Sequence, residues 1–322
     1  MKFGTYMFEA KKVPGFDYDL FRVKPEVGRR MPPKADMHSN IAIFGDNVTA
    51  RIHPDWISQS DLGPAWRTND NFNVRWEVLC ATQPEHRAEQ LDYIEDVARK
   101  SQGIWLNSIH FAEHGHCTCP RCKDLWKKSG LSWYEWRRKE VTEYMAQVSD
   151  RVRNRAKKKF VIGVLPDPVT NYERFGVNFD DLAPLTDEFL VVMFNKNYAT
   201  PWYNETLTRN FKKLFKDVKL NIALYVIGPG DDPKETPTPR RPRRWLKVFS
   251  SRFLPFIQTS QPCSGHPSLL PICCKCGQEI QGSMILDSPV GVRYRGQEFR
   301  RFPGYSIHQP DHVGPLRPII AP

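Results

Sequence analysis

The chain has 322 residues, 40% hydrophobic and 12% aromatic, enough for one large α/β domain with an appendage or for two ordinary domains. Its net charge is +11, but residues 229–322 supply +6 of it (13 Lys and Arg against 7 Asp and Glu), leaving an unremarkable +5 on the first 228; such a charge bears on partners and not on fold. No apolar run approaches the roughly 20 residues of a membrane helix, and the start, MKFGTYMFE, is too short and polar for a signal peptide, so a soluble cytoplasmic protein without a membrane partner is expected.

Residues 2–8 and 40–44 are strand candidates, separated by a long irregular stretch. Residues 74–79 are apolar and β-prone, and 84–100 follow with Leu91, Ile94, Val97 and Ala98 at helical spacing. GIWLNSIHF (103–111) is the next strand. Residues 132–157 form a long charged helix pattern with Trp133, Trp136, Val141, Tyr144, Met145, Val148 and Val152 on one side. Strands over 160–165, 189–194 and 220–227 alternate with a short helix or turn at 179–185 and a helix over 203–215. This alternation predicts a parallel sheet. No Gly-rich phosphate loop follows any strand, which disfavours a nucleotide-binding sheet. Polar or acidic residues stand at the strand ends instead: Glu9, Asp46, Glu113, Asp167, Asn195 and Asp231. A barrel gathers such ends into one mouth, so the predicted fold is a (β/α)8 TIM-type barrel, incomplete or irregular, over residues 1–228.

After Gly228 the pattern stops. Residues 229–322 hold 15 of the 27 prolines, opening with PKETPTPRRPRR, and proline at this density prevents long helices and central strands. The stretch reads as a basic, proline-rich, non-globular tail; a shifted reading frame in the parent gene would also produce so abrupt a break. Its basic run could bind nucleic acid electrostatically, but aromatic and basic residues do not interleave beyond Trp245, which disfavours that partner.

Cys117, Cys119 and Cys122 offer three thiolates within six residues. Zinc takes four tetrahedral ligands, and tight Cys-containing turns place sulfurs on one face of the ion. His114 and His116 are near, but Cys80 is the better fourth ligand, because loops after neighbouring parallel strands meet at one mouth. Ordinary buried thiols are the alternative, and a polar loop flanked by His, Arg and Lys argues against it. Four thiolates leave no open position for water, so the expected cofactor is a structural zinc. A second group, Cys273, Cys274 and Cys276, looks like half a zinc ribbon, with only Cys263, His266 and His308 nearby, and reads as accidental.

LCATQPEHR followed by a strand and then AEHGHCTCPRCKDLW resembles the zinc-containing β-galactosidases and related glycoside-hydrolase barrels. The matching residues are Cys80, Thr82, Pro84 and Arg87, then Glu113, Cys117, Cys119, Cys122 and Trp126, and His53-Pro54-Asp55-Trp56 with Asp61-Leu62-Gly63 looks like the segment after the third strand. The resemblance covers about residues 40–228 and implies a carbohydrate ligand, with Glu113 ending the fourth barrel strand as proton donor. Two departures stand out: Ala112 replaces the family's Asn before that Glu, and the strand over 220–227 ends in Gly-Pro-Gly-Asp-Asp without the nucleophilic Glu.

Glycoside hydrolysis needs two carboxyl groups, about 5–5.5 Å apart in a retaining enzyme. Glu113 is the first, with an ion-paired loop Glu near Arg121 or Lys123 as its bland reading; Asp167 and Asp231 are the candidate partners, though residues flanked by prolines and glycines in this way are more often turn or cap residues. Trp105, His110, Asn195, Tyr198 and Trp202 are candidate substrate contacts, with His110 and the aromatics also readable as core. The expected function is a glycoside-hydrolase-like barrel acting on or binding an oligosaccharide, with weak or undetectable hydrolysis. The alternatives are an inactive sugar-binding or structural barrel, and a zinc-containing basic protein associated with nucleic acid.

Overall fold

A computed structural model describes residues 4–71, 76–193, 201–215, 217–225, 256–257 and 283–287. The described residues lie within one compact unit, Met1–Gly291; the other, Val292–Pro322, falls outside them.

Seven strands run parallel in chain order: β1 Gly4–Met7, β2 Tyr18–Lys24, β3 His38–Ala42, β4 Gly103–Asn107, β5 Lys159–Val164, β6 Glu188–Met193 and β7 Lys219–Tyr225. Two further strands flank them, Phe256–Ile257 parallel to β1 and Ser283–Asp287 antiparallel to β7. These two are the only described parts of the stretch expected to be non-globular, so the rest of that expectation, Asp231 included, lies outside the described residues.

The sheet is curled. Tyr6, Leu20, Trp105, Val161, Leu190 and Ala223, from six of the strands, form one fully buried cluster. Lys219 on β7 reaches to 3.5 Å from the hydroxyl of Tyr18 on β2; in a flat sheet with strands about 4.8 Å apart, five steps would separate them by about 24 Å. Alternate residues of each strand therefore face a common interior, as in a barrel wall. The layer nearest the strand N-termini is polar: Glu188 takes Lys159 at 2.7 Å, Lys219 at 2.9 Å and the Asn221 amide at 2.8 Å. Burial would raise the Glu188 pKa, but the two ammonium groups outweigh it and hold the carboxyl below its ordinary value.

Helices cover the outer face. In chain order they are α1 Asn47–Ile52, α2 Pro84–Arg99, α3 Pro120–Ser129, α4 Trp133–Ser149, α5 Asn171–Phe175, α6 Phe179–Leu182 and α7 Pro201–Phe215. Proline opens α2 at a position whose N–H would lack a helical partner anyway. Its buried residues, His86, Gln90, Leu91, Ile94, Val97 and Ala98, recur at helical spacing. A capping box between Ser132 and Glu135 starts α4, whose buried stripe runs from Trp136 through Val141, Tyr144 and Met145 to Val148. The last turns, Asp150–Arg155, widen to π geometry, so the helix expected over 132–157 is regular only to Ser149.

Three further expectations are corrected. The stretch between the first strand candidates holds a full strand, β2, whose Tyr18, Arg22 and Lys24 are polar because they meet partners in the fold instead of an apolar neighbour; three strands thus precede β4, making it the fourth. The strand expected over 74–79 is not a sheet member where described: Val78 and Leu79 make only isolated bridges, to Gly45 and Ile57. β4 is also shorter than expected, ending at Asn107 because Ser108 turns to φ 50°. No described helix is long and apolar enough to cross a membrane.

Candidate functional site

Two long connections lie at the C-terminal end of the parallel sheet. One runs from β3 to α2 and carries Cys80; the other runs from β4 to α3 and carries Glu113, Cys117 and Cys119. Cys122 sits in the first turn of α3 and is fully buried. The four sulfurs lie within 4.8 Å of one another, with Cys80 3.4 Å from Cys122 and 3.9 Å from Cys119. A tetrahedral ion with metal–sulfur bonds of about 2.3 Å sets its sulfurs about 3.8 Å apart, so the cluster has the dimensions of a four-thiolate metal site.

The surroundings suit such a group. The two-stranded hairpin Gln59–Ser60/Gly63–Pro64 runs along the cysteine loop: the Gln59 N–H points at the Cys117 sulfur at 3.3 Å, and the Thr118 N–H donates to the Gln59 carbonyl at 2.8 Å. Thr82 places its hydroxyl 3.0 Å from Cys122 and 3.3 Å from Cys80. Hydrogen bonds from Cys117 and Cys122 hold Cys119 down to about 7, and those from Cys117, Cys119 and Cys122 hold Cys80 well below the thiol range. Bonding to their ionised neighbours pushes Cys117 and Cys122 upward. Four crowded sulfurs cannot all ionise unaided, and a divalent cation is what would let them. These residues could therefore hold a metal ion, and the closed donor set leaves no position for a reacting water.

Six residues after β4, Glu113 lies beside this loop. The guanidinium of Arg174, on α5, forks it: Nε stands 3.1 and 3.0 Å from the two carboxylate oxygens and Nη2 also donates to Oε1. Arg174 Nη1 reaches Asp167 at 3.1 Å, so one cation joins two of the three expected catalytic carboxylates. Asp167 is also a turn cap, accepting from the Val169 and Thr170 N–H groups at 3.1 and 2.8 Å. Burial would raise its pKa, but the Thr170 hydrogen bonds, the Val169 N–H and Arg174 bring it below the ordinary value. Arg137, fully buried on α4, braces the pair from below: it donates to the carbonyls of Glu113 at 2.6 Å, Glu173 at 2.7 Å and Arg174 at 2.7 Å. Gly176 follows at φ +72°, packed so closely on the Arg137 backbone that a Cβ would stand 3.0 Å from its carbonyl oxygen. A cavity of about 210 Å³ opens here, lined by Ser60, Leu62, Asn71, Glu113, His114 and Arg174.

The expected substrate contacts scatter. Trp105 is fully buried in the interior cluster, so a sugar could reach its face only if that packing opened. His110 is buried against Phe175 at 4.6 Å, and its Nδ1 lies 2.6 Å from the Phe111 carbonyl; burial lowers its pKa to about 4, the behaviour of a neutral core histidine. Trp202 is 60% exposed in the first turn of α7. Asn195 and Tyr198 lie outside the described residues. The readings from sequence missed Arg174 and Arg137, because nothing in local spacing announces partners 24 to 61 residues away. They also missed Arg22 on β2, which is paired with Glu26 two residues past that strand; its only signal was a charged residue among apolar ones.

No protein-family model matches the sequence, and no curated protein matches it. Among solved structures the chain is similar to the spore cortex-lytic enzyme SleL of Bacillus megaterium at 8% identity and TM-score 0.40, covering 88% of this chain and 63% of that one. It is similar to an α-galactosidase of Thermus thermophilus in complex with stachyose at 16% identity and TM-score 0.38, covering 73% and 47%. An α-L-fucosidase of Paenibacillus thiaminolyticus follows at 12% identity and TM-score 0.37, covering 49% and 28%. The chain thus spans less than two thirds of each of these proteins.

Proposed function

We propose that the chain is a glycoside-hydrolase-like barrel that binds or acts on an oligosaccharide and carries one structural zinc on Cys80, Cys117, Cys119 and Cys122. The observation that carries this reading is the position of the four-sulfur cluster. Two loops at the mouth of a curled parallel sheet bring it together, and one of them also bears Glu113. Such a cluster would fix the Glu113 loop rigidly, as catalytic precision requires. The metal would supply folding energy and no bond-making step; the chain's own residues would bind and orient the sugar.

A second reading, an inactive sugar-binding barrel, is favoured by the fork of Arg174. A proton donor must turn a carboxyl hydrogen toward the leaving group, and Arg174 covers both oxygens of Glu113 instead. The two readings part on turnover of an aryl hexoside panel. An active barrel hydrolyses at least one member, and Glu113→Gln removes hydrolysis of substrates with poor leaving groups while sparing activated ones. Binding without turnover supports the inactive barrel. Neither binding nor turnover of any saccharide contradicts both.

A further inference from the structure

Around the axis of the curled sheet, at the ends of β1, β2 and β4, five buried polar residues form a closed circuit. Arg22 is paired with Glu26, and its guanidinium stands 5.1 Å from the ring centre of Tyr6. Glu26 accepts from the Ser108 hydroxyl at 3.3 Å. Next to Ser108 in the chain, Asn107 donates its amide to the Tyr6 hydroxyl at 2.8 Å. Arg22, Glu26, Asn107 and Ser108 are all buried, with 5–8% of their surface still exposed.

Three observations point to a ligand here. The side-chain amide oxygen of Asn107 and the Arg22 Nε–H are buried and find no hydrogen-bond partner among the described residues, a costly state for groups that could be satisfied. Ser108 is held at φ 50°, a backbone conformation that non-glycine residues seldom adopt and that tends to persist at functional positions. Finally, Gly45 leaves room for a polar cradle: a Cβ there would stand 2.5 Å from the Trp76 indole nitrogen and 2.9 Å from the Ser108 hydroxyl oxygen. The indole N–H also finds no partner among the described residues.

We infer that this axial cluster, and not the Glu113 cavity, is the subsite that grips the sugar ring. Donors (the Arg22 Nε–H and the Trp76 N–H) stand among acceptors (the Glu26 carboxylate and the side-chain amide oxygen of Asn107). A ring with neighbouring hydroxyls, each both donor and acceptor, matches that arrangement; an anion would meet the Glu26 carboxylate, and an apolar ligand would leave the Arg22 Nε–H, the Trp76 N–H and the Asn107 amide oxygen unpaired. The inference rests on the carbohydrate reading above and goes further by naming the residues that hold the ring.

The test is binding of methyl hexosides in the galacto, gluco, manno and fuco configurations to the full chain, followed by titration calorimetry. Ser108→Gly is the decisive variant, because glycine relieves the positive φ while removing the hydroxyl. The expected result is a Tm equal to or above wild type together with at least a tenfold rise in Kd for the hexoside bound best. Glu26→Gln should weaken binding at least as much, and exposed Asp96→Asn on α2 should not change it. Wild-type affinity in Ser108→Gly and Glu26→Gln would overturn the inference. Loss confined to Glu113 and Arg174 variants would overturn it too, while leaving the carbohydrate reading in place. Failure of wild type to bind any hexoside would remove both.

Discussion

At the scale of single residues, Arg174 decides what Glu113 can do. The guanidinium satisfies both Glu113 oxygens and reaches Asp167 as well. If the fork is what withholds the proton donor, Arg174→Gln should raise hydrolysis of phenyl hexosides, whose poorer leaving group needs the proton, by about 100-fold, the lower end of general acid catalysis, with the far-ultraviolet spectrum unchanged. Unchanged or lower turnover would show that the fork is not the block. Buried histidines make a second prediction. Burial holds His38, His86 and His110 at about 4, below the ordinary 6.5. A depressed histidine pKa means that the unfolded chain binds the extra proton first, so stability is full above pH 6.5 and falls as the pH drops toward 4. Each contributes up to about 3 kcal/mol to that loss. Tm should therefore decline steeply in this window, and His110→Asn, which can still donate to the Phe111 carbonyl, should flatten the slope; a level Tm from pH 7 to 4 would contradict this.

At the scale of elements, α4 carries more than its apolar stripe. Arg137 ties it to the carbonyls on either side of the Glu113–Arg174 pair. Arg137→Met keeps much of the packing against Phe111 but leaves three carbonyls without their donor, which should cost about 3–5 kcal/mol. Urea denaturation measures this, and a loss under about 1 kcal/mol would show the carbonyls satisfied otherwise. This element-level wiring was only partly legible in the sequence. The cysteines could be read because metal ligands need short spacings, visible in Cys117, Cys119 and Cys122, and β3 to β7 could be placed because apolar residues repeat in them. β2 could not be read, since Tyr18, Arg22 and Lys24 break the apolar pattern and make sense only with partners in view. Arg174 was hidden for the same reason: α5 is one short turn, and its role appears only when the β4 loop folds against it.

At the scale of the molecule, seven parallel strands curl until side chains of β2 and β7 reach each other across the interior, and the loops at their C-terminal ends carry both the four-cysteine cluster and the acidic pair. The sequence favoured a barrel by elimination, from absent phosphate loops and polar strand ends, and could not reveal the Lys159–Glu188–Lys219 layer, half-buried lysines on a buried carboxylate, at the other end of the interior. Metal and fold should be coupled in such a design. Cys119→Ser, at the half-exposed corner of the cluster, should lower metal content and Tm together, as should Cys80→Ser from the other loop. The most direct measurement is X-ray absorption at the zinc edge on the purified full chain, combined with elemental analysis. The expected result is about one zinc per chain with four sulfur neighbours at about 2.3 Å. A chain that folds without zinc and takes none up, or a zinc retained in full by both Cys80→Ser and Cys119→Ser, would contradict the account.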